Sequence, residues 1–209
     1  MKSLLLVGAT GLVGRSVLQQ ALGDRRVSLV VAPTRRPLPS HPRLENPQVD
    51  FNALPTDAPW WAVDGVICTL GTTIKKAGSQ AAFRKVDHDY PLAVAEHSRR
   101  RGAEAFALTS SIGADPRSRA FYLRTKGETE RALAACGFRS LTIVRPSFIG
   151  GERAERRLLE SVALAFFGGI ARWLPRRYRV VPATRIAHSL LEAAIAAEPG
   201  ARIVESEAI

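Results

Sequence analysis

The chain has 209 residues, enough for one well-buried domain and short for two, so we expect a single domain over residues 1–209. Apolar residues make up 46% of the sequence and charged residues 23%, which argues against a disordered or low-complexity chain. The formal net charge is +11, but the positive residues are mostly arginines scattered along the chain, so we expect no nucleic-acid partner.

The first predicted elements are a strand over residues 3–8 and a helix over residues 12–22, joined by a glycine-rich turn. At such a turn the free N–H groups and the dipole of the helix favour a pyrophosphate, so the turn predicts a dinucleotide site. The glycines could instead serve only close packing, which explains one glycine better than three. The predicted contacts of the turn are Gly8, Thr10, Gly11, Leu12, Val13 and Gly14.

The second predicted strand, residues 27–32, ends beside the expected position of the adenosine ribose. An NAD site would have an acidic residue there, whereas this chain has Arg35 and Arg36. A guanidinium matches a 2′-phosphate in charge and geometry, and one charged hydrogen bond contributes about 1.5–3 kcal/mol. The pair therefore predicts NADP(H) as cofactor, the alternative being an exposed loop of an arginine-rich protein.

The third and fourth predicted strands, residues 47–51 and 64–70, end in further candidate cofactor contacts. Asp50 is placed to meet the adenine amino group and Phe51 its face, although a lone phenylalanine is more often a core residue. The fourth strand opens into a second group of candidates, which could equally form an ordinary turn. These are Leu70, Gly71 and Thr72.

The fifth predicted strand, residues 104–109, runs into two serines, and the predicted helix over residues 118–136 carries Tyr122 and Lys126. Positions i and i+4 share a helix face. An ammonium about 4 Å from a phenolate stabilises it by roughly 4 kcal/mol at an effective dielectric of about 20. The spacing predicts an acid–base pair for carbonyl reduction, with an exposed helix face as the alternative.

Alternating strands and helices predict a doubly wound α/β fold, a mainly parallel Rossmann sheet with helices on both faces. The remaining predicted elements are helices over 79–101, 152–173 and 184–197 and strands over 140–145 and 201–205. Residues 151–182 are expected to form a small C-terminal substrate or lid insertion. The 152–173 segment could instead lie on a membrane surface, and helices 79–101 and 118–136 could pair across a homodimer.

Together these motifs resemble the atypical short-chain dehydrogenase/reductases, and more narrowly the group that contains the human HIV Tat-interacting oxidoreductase. The most specific segments are Leu-Gly-Thr-Thr at 70–73 and Lys-Ala-Gly at 76–78. The resemblance implies a Rossmann fold with bound NADPH and catalytic roles for Ser111, Tyr122 and Lys126. Strand alternation directs only one of the two serines to the site, and we favour Ser111 over Ser110.

The resemblance also implies that Arg145 and Pro146, with the loop that follows them, lie against the nicotinamide and that Lys126 contacts the cofactor ribose. Ser147 and Phe148 depart from the Pro-Gly expected there. We therefore expect an NADPH-dependent oxidoreductase that reduces a carbonyl or activated double bond of a small molecule. The alternative is an NADPH-binding redox sensor with little turnover.

The four histidines and two cysteines have no metal-ligand spacing, so we expect no metal site. The N-terminal apolar run of four residues is too short for a signal peptide, and we expect both cysteines to be reduced thiols. These features predict a cytoplasmic protein.

Overall fold

The structure is a computed structural model, and it describes residues 1–150 and 176–209. Its strands are short and apolar and alternate with helices. The strands are β1 (Lys2–Val7), β2 (Val27–Val31), β3 (Leu44–Glu45), β4 (Gly65–Cys68), β5 (Ala105–Thr109), β6 (Ser140–Arg145), β7 (Ile149–Gly150), β8 (Val181–Pro182) and β9 (Gly200–Glu205). The helices are α1 (Leu12–Gly23), α2 (Ile74–Ala77), α3 (Gln80–Arg84), α4 (Tyr90–Arg100), α5 (Phe121–Ala134) and α6 (Ala183–Ala196).

Seven of the strands in this part of the chain form one sheet in the order β3-β2-β1-β4-β5-β6-β9. Every neighbouring pair in it is parallel. The predicted doubly wound α/β fold is thus confirmed. Because β1 lies between β2 and β4, the strand order reverses at β1, and ligands bind such folds beyond the carboxyl ends of the strands at this point.

Helices cover both faces of the sheet, and the side chains of β1 alternate between them. Leu4 packs in a cluster with Val17 of α1 and Leu190 of α6. Leu5 packs in a second cluster with Val94 of α4 and with Leu133 of α5. All six side chains are buried, so the two clusters hold the helices on a common sheet and set the positions of their ends.

The third strand is shorter and earlier than the predicted 47–51, since it covers only Leu44–Glu45. Asn46 takes over the next ladder positions with its side chain, which donates to the carbonyl oxygen of Ala32 at 2.5 Å and to Thr34 Oγ1 at 2.8 Å. Pro47 has no N–H to donate. Only an isolated bridge between Thr34 and Gln48 continues the pairing.

The predicted helix 79–101 is interrupted, because a π-helical turn, Lys85–Asp89, separates α3 from α4. The predicted helix 118–136 begins only at Phe121. A turn precedes it, in which the carboxylate of Asp115 accepts the backbone N–H of Arg117 at 2.8 Å. The regular helix begins only after this turn.

The predicted helix 152–173 and most of the predicted 151–182 insertion lie outside the described residues. The described end of the insertion contains a short 3₁₀ turn, Arg176–Tyr178, and strand β8, which pairs in parallel with β7. Among the described helices, none combines the length and apolar character needed to span a bilayer.

Candidate functional site

The glycine turn after β1 is closely packed against the strand β4 and helix α1. Gly8 has φ of +89°, and a Cβ there would lie 2.6 Å from Thr69 Oγ1. A Cβ on Gly14 would lie 2.0 Å from the carbonyl oxygen of Gly8. Packing therefore accounts for Gly8 and Gly14, whereas Gly11 is exposed at the helix start.

Helix α1 begins at Leu12 without a side-chain cap and without an acidic residue in its first turn. The first N–H groups of a helix have no intrahelical acceptor, so they remain available to an anion. The side chain of Val13 is buried in the core and Leu12 is half-exposed. Any contact of Val13 or Gly14 with a ligand would therefore be made through the backbone.

A cleft of about 200 Å³ opens beside this turn, beyond the ends of β1 and β2. It brings together seven of the residues predicted from the sequence to bind cofactor. They are Gly8, Thr10, Arg35, Arg36, Asp50, Phe51 and Leu70. The remaining lining residues are Ala9, Pro33, Thr34, Asn52, Val86 and Tyr90.

The two arginines of the cleft are exposed, and neither forms an ion pair with any described residue. Thr34 Oγ1 donates to the carbonyl oxygen of Arg36 at 2.6 Å, which orders the backbone after β2. Asp50 is the acidic residue among those that line the cleft, and it belongs to the segment after β3. The guanidinium groups are thus available to a negatively charged ligand.

Tyr90 and Asn52 complete the wall of the cleft, and sequence reasoning missed both. The Tyr90 hydroxyl donates to Asn52 Oδ1 at 2.7 Å, and the rings of Phe51 and Tyr90 lie 5.6 Å apart. Partial burial, followed by the nearby carboxylate of Asp50, raises the pKa of Tyr90 above its ordinary value. No local pattern marks these residues, because they meet only through contacts between segments distant in sequence.

Lys126 lies deeper in the fold and is paired with Asp87, a second residue that the sequence analysis missed. The Lys126 Nζ atom is 2.7 Å from Asp87 Oδ1, and the side chains are 6% and 1% exposed. Burial alone would lower the pKa of Lys126, but the carboxylate of Asp87, with smaller contributions from Tyr122 and Cys68, raises the pKa overall. The available signal in the sequence was the position of Asp87, four residues after Phe83 and therefore on the same buried face.

The loop after β4 adjoins this ion pair. The backbone N–H of Thr72 donates to Asp87 Oδ2 at 2.9 Å. A Cβ on Gly71 would lie 3.4 Å from Asp87 Oδ1 and 3.8 Å from Lys126 Nζ. The structure therefore brings the predicted cofactor contacts Gly71 and Thr72 next to the predicted catalytic lysine.

Tyr122 lies one helical turn before Lys126 on α5, as the i, i+4 spacing requires. Its half-buried ring packs 5.4 Å from the ring of Phe83, centroid to centroid. Tyr122 is also one of the groups that raise the pKa of Lys126, as expected for neighbours on one helix face.

The two candidate serines differ in their partners. The Ser110 hydroxyl donates to Glu130 Oε1 in the protein interior. Among the described residues, Ser111 Oγ donates to the carbonyl oxygen of Ile112, at 3.3 Å. The preference for Ser111 as the catalytic serine is consistent with this difference, because the Ser110 hydroxyl is already engaged.

Arg145 faces carboxylates of the protein. It donates to Glu130 Oε1 at 3.0 Å and Oε2 at 2.6 Å, and to Glu205 Oε1 at 3.0 Å. The hydrogen bonds that Arg145 donates to Glu130 raise the pKa of Arg145 further. Pro146 is buried, and its carbonyl oxygen accepts from Ile112 at 2.9 Å. Neither residue lines the cleft, so their cofactor contacts stay predictions.

The described residues contain no group of three or more His, Cys, Asp or Glu side chains placed to hold a metal ion.

A family model described as NAD(P)H-binding matches residues 8–173 of the chain. Protein HTATIP2 of Rattus norvegicus is 34% identical over 214 residues, which cover 100% of this chain and 88% of the rat protein. Protein FMP52, mitochondrial, of Coccidioides immitis is 33% identical over 191 residues, which cover 84% of this chain and 77% of the fungal protein.

Among solved structures, MoeE5 in complex with UDP-glucose and NAD superposes with a TM-score of 0.75 and 18% identity. The match covers 97% of this chain and 75% of MoeE5. At this identity the likeness supports the Rossmann fold.

The prediction of a cytoplasmic protein is wrong by comparison with the fungal relatives. The Coccidioides immitis relative is named as mitochondrial, and so are relatives from Emericella nidulans and Debaryomyces hansenii. The prediction rested on the absence of a signal-peptide pattern, which does not separate the cytoplasm from other compartments reached without one.

Proposed function

The chain belongs to the NAD(P)H-binding family and, within it, to the atypical short-chain dehydrogenase/reductases, and on this premise we propose that it reduces a carbonyl group with NADPH. The substrate class is a small molecule that bears a ketone, an aldehyde or an activated double bond.

The observation that carries the proposal is the cleft in which the glycine turn and two unpaired arginines face the same space. A pyrophosphate fits the uncapped start of α1, and a 2′-phosphate fits the fork of Arg35 or Arg36. Asp50 can accept from the adenine amino group, and Phe51 can pack on its face. These residues fit NADPH better than NADH because no carboxylate follows β2 directly.

We assign the catalytic roles to Ser111, which follows β5, and to two residues of α5. When bound, NADPH supplies a hydride to the carbonyl carbon. The Tyr122 hydroxyl donates a proton to the carbonyl oxygen, which completes the alcohol, and the Lys126 ammonium stabilises the resulting phenolate. The Ser111 hydroxyl donates a hydrogen bond to the carbonyl oxygen as negative charge develops there.

The first experiment is a fluorescence titration of the purified protein with NADPH and with NADH. We expect NADPH to bind more tightly, and the variant Arg35→Ala/Arg36→Ala to lose roughly ten- to hundredfold in NADPH affinity while NADH binding changes little. Arg25→Ala/Arg185→Ala is the matched control, because both arginines are exposed, do not line the cleft and have no ion-pair partner among the described residues. Equal affinity for the two nucleotides would contradict the role of the arginines.

The second experiment measures reduction of para-nitrobenzaldehyde and menadione by the loss of NADPH absorbance. Tyr122→Phe should abolish turnover and leave NADPH affinity intact, because only the proton donor is removed. Tyr178→Phe removes the hydroxyl of an exposed tyrosine and should change neither. Unchanged turnover in Tyr122→Phe would remove Tyr122 from the mechanism. Tight NADPH binding with no turnover of any carbonyl compound would favour a redox-sensing protein.

A further inference from the structure

Asp87 is a buried acidic residue that the proposed reaction does not use, although it touches two parts of the site. It lies in the π-helical turn Lys85–Asp89 between α3 and α4. Single π-helical turns occur often at functional sites. Its side chain is 1% exposed, so the carboxylate has no access to bulk water.

The carboxylate of Asp87 joins elements that are distant in sequence. Its Oδ2 atom accepts the backbone N–H of Thr72 at 2.9 Å, and its Oδ1 atom lies 2.7 Å from Lys126 Nζ. The Thr129 hydroxyl donates to the backbone carbonyl of Asp87 at 2.9 Å. One residue thus ties the loop after β4 to the face of α5 that carries Lys126.

The surroundings of Lys126 leave its charge dependent on Asp87. The ionisable groups that act on it are Asp87 from the π-helical turn, Tyr122 from its own helix and Cys68 from β4. The Cys68 thiol is fully buried, which raises its pKa to about 12, so it is neutral near pH 7. Asp87 is therefore the anion that balances burial of the ammonium.

We propose that Asp87 is a positioning residue for the reduction: its carboxylate holds the Lys126 ammonium charged beside Tyr122 and anchors the Thr72 loop against it. This inference rests on the proposed function for its chemical consequence. Asp87 acts through Lys126 and Thr72, and it needs no contact of its own with cofactor or substrate.

Asp87→Asn separates the hydrogen bond of the side chain with Thr72 from its ion pair with Lys126. The amide oxygen can still accept from Thr72, whereas the negative charge is lost. Burial then acts on Lys126 without compensation, so the pKa of Lys126 falls and the ammonium deprotonates at a lower pH. Turnover should lose about tenfold for each pH unit above that lowered pKa, because a single proton is lost.

The test compares the pH dependence of kcat for para-nitrobenzaldehyde in the wild type, Asp87→Asn, Asp87→Glu and Asp89→Asn. We expect a new alkaline loss of kcat in Asp87→Asn and its recovery in Asp87→Glu, which restores the charge. Asp89→Asn is the matched control, since this exposed carboxylate pairs with His88 and not with Lys126. A wild-type pH profile in active Asp87→Asn would overturn the proposal and leave the reductase function standing.

A second measurement does not depend on turnover or on cofactor. The chain has five lysines, so labelling with [ε-¹³C]lysine gives five NMR signals, and Lys126→Arg identifies that of Lys126. In the wild type the Lys126 signal should titrate after the other four, and in Asp87→Asn before them. A Lys126 signal that titrates with the other four in the wild type would overturn the proposal, even if the variants fail to fold or no carbonyl compound is reduced.

Discussion

The cleft beside the glycine turn and the buried region around Lys126 and Glu130 both contain charged residues, but in opposite settings. Arg35, Arg36 and Asp50 line the cleft as exposed side chains, and the arginines have no ion-pair partner within the described residues. Lys126 and Glu130 lie inside the fold, and each is paired with a residue of opposite charge. The charged groups of the cleft are therefore available to a ligand, whereas those of the interior form ion pairs with one another.

The difference has an energetic basis. Exposed charges are solvated in both the folded and unfolded chain, so removing one changes folding stability little. A buried charge has lost its water, and removing its partner leaves it uncompensated at a cost of about 3–5 kcal/mol. Substitutions in the cleft should thus change ligand affinity, and substitutions in the interior should change folding and chemistry together.

The largest effect should come from Gly14→Ala, which tests whether the glycine turn beside the cleft is essential for folding. The new Cβ would lie 2.0 Å from the carbonyl oxygen of Gly8, where the backbone has to move. We expect a loss of more than about 4 kcal/mol in the free energy of unfolding, measured by urea denaturation. Gly23→Ala at the end of the same helix meets open space and should not destabilise the protein. Equal stability of the two variants would contradict the packing described for the turn.

Glu130→Ala should be the more damaging of two charge removals on α5. It leaves the Arg145 guanidinium with Glu205 alone and takes away the acceptor of Ser110. We expect about 3 kcal/mol of lost stability by urea denaturation. Glu128→Ala, on the same helix, breaks a partly exposed pair with Arg84 and should cost less than about 1 kcal/mol. Similar losses in both variants would remove the distinction between interior and surface charges.

The double variant Arg35→Ala/Arg36→Ala should show the reverse behaviour. Its free energy of unfolding without nucleotide should stay within about 0.5 kcal/mol of the wild type, because both side chains are exposed. Added NADPH should raise the melting temperature of the wild type more than that of the variant. A large loss of stability without nucleotide would mean that the arginines serve the fold.

The smallest effect concerns Asp64, which precedes β4 at the amino ends of the strands, whereas the site lies beyond their carboxyl ends. Burial alone would raise the pKa of Asp64, but hydrogen bonds from the Ser3 N–H at 2.7 Å and hydroxyl at 2.8 Å lower it overall. A carboxyl with a lowered folded-state pKa stabilises the fold above its unfolded pKa of about 3.9 and loses this contribution as pH falls. The side chain is 43% exposed, so Asp64→Asn should cost less than about 1 kcal/mol at pH 7.

The pH dependence of that variant provides the check. Urea denaturation of wild type and Asp64→Asn should show a stability difference at pH 7 that shrinks as pH falls below about 4. A difference that is constant with pH would assign the effect to the shape of the side chain. It would also show that the charge of Asp64 does not contribute to folding stability.

The sequence correctly predicted features that depend on local pattern. The doubly wound α/β class followed from the alternation of apolar strands and helices, and the i, i+4 spacing correctly placed Tyr122 and Lys126 on one helix. The prediction from sequence was wrong for the third strand, where side-chain hydrogen bonds replace those of the backbone. Asn46 took over ladder hydrogen bonds, so the third strand ended before the predicted 47–51 began.

By itself, then, the sequence determined the order of the elements, the glycine turn and the positions of the candidate site residues along the chain, because these follow from periodicity and spacing. Only the tertiary structure decided which charges meet. Asp87 is 39 positions from Lys126 in sequence, and Glu205 is 60 from Arg145. Their pairing depends on how helices and strands pack, and packing also removes the water that would otherwise make such pairs unnecessary.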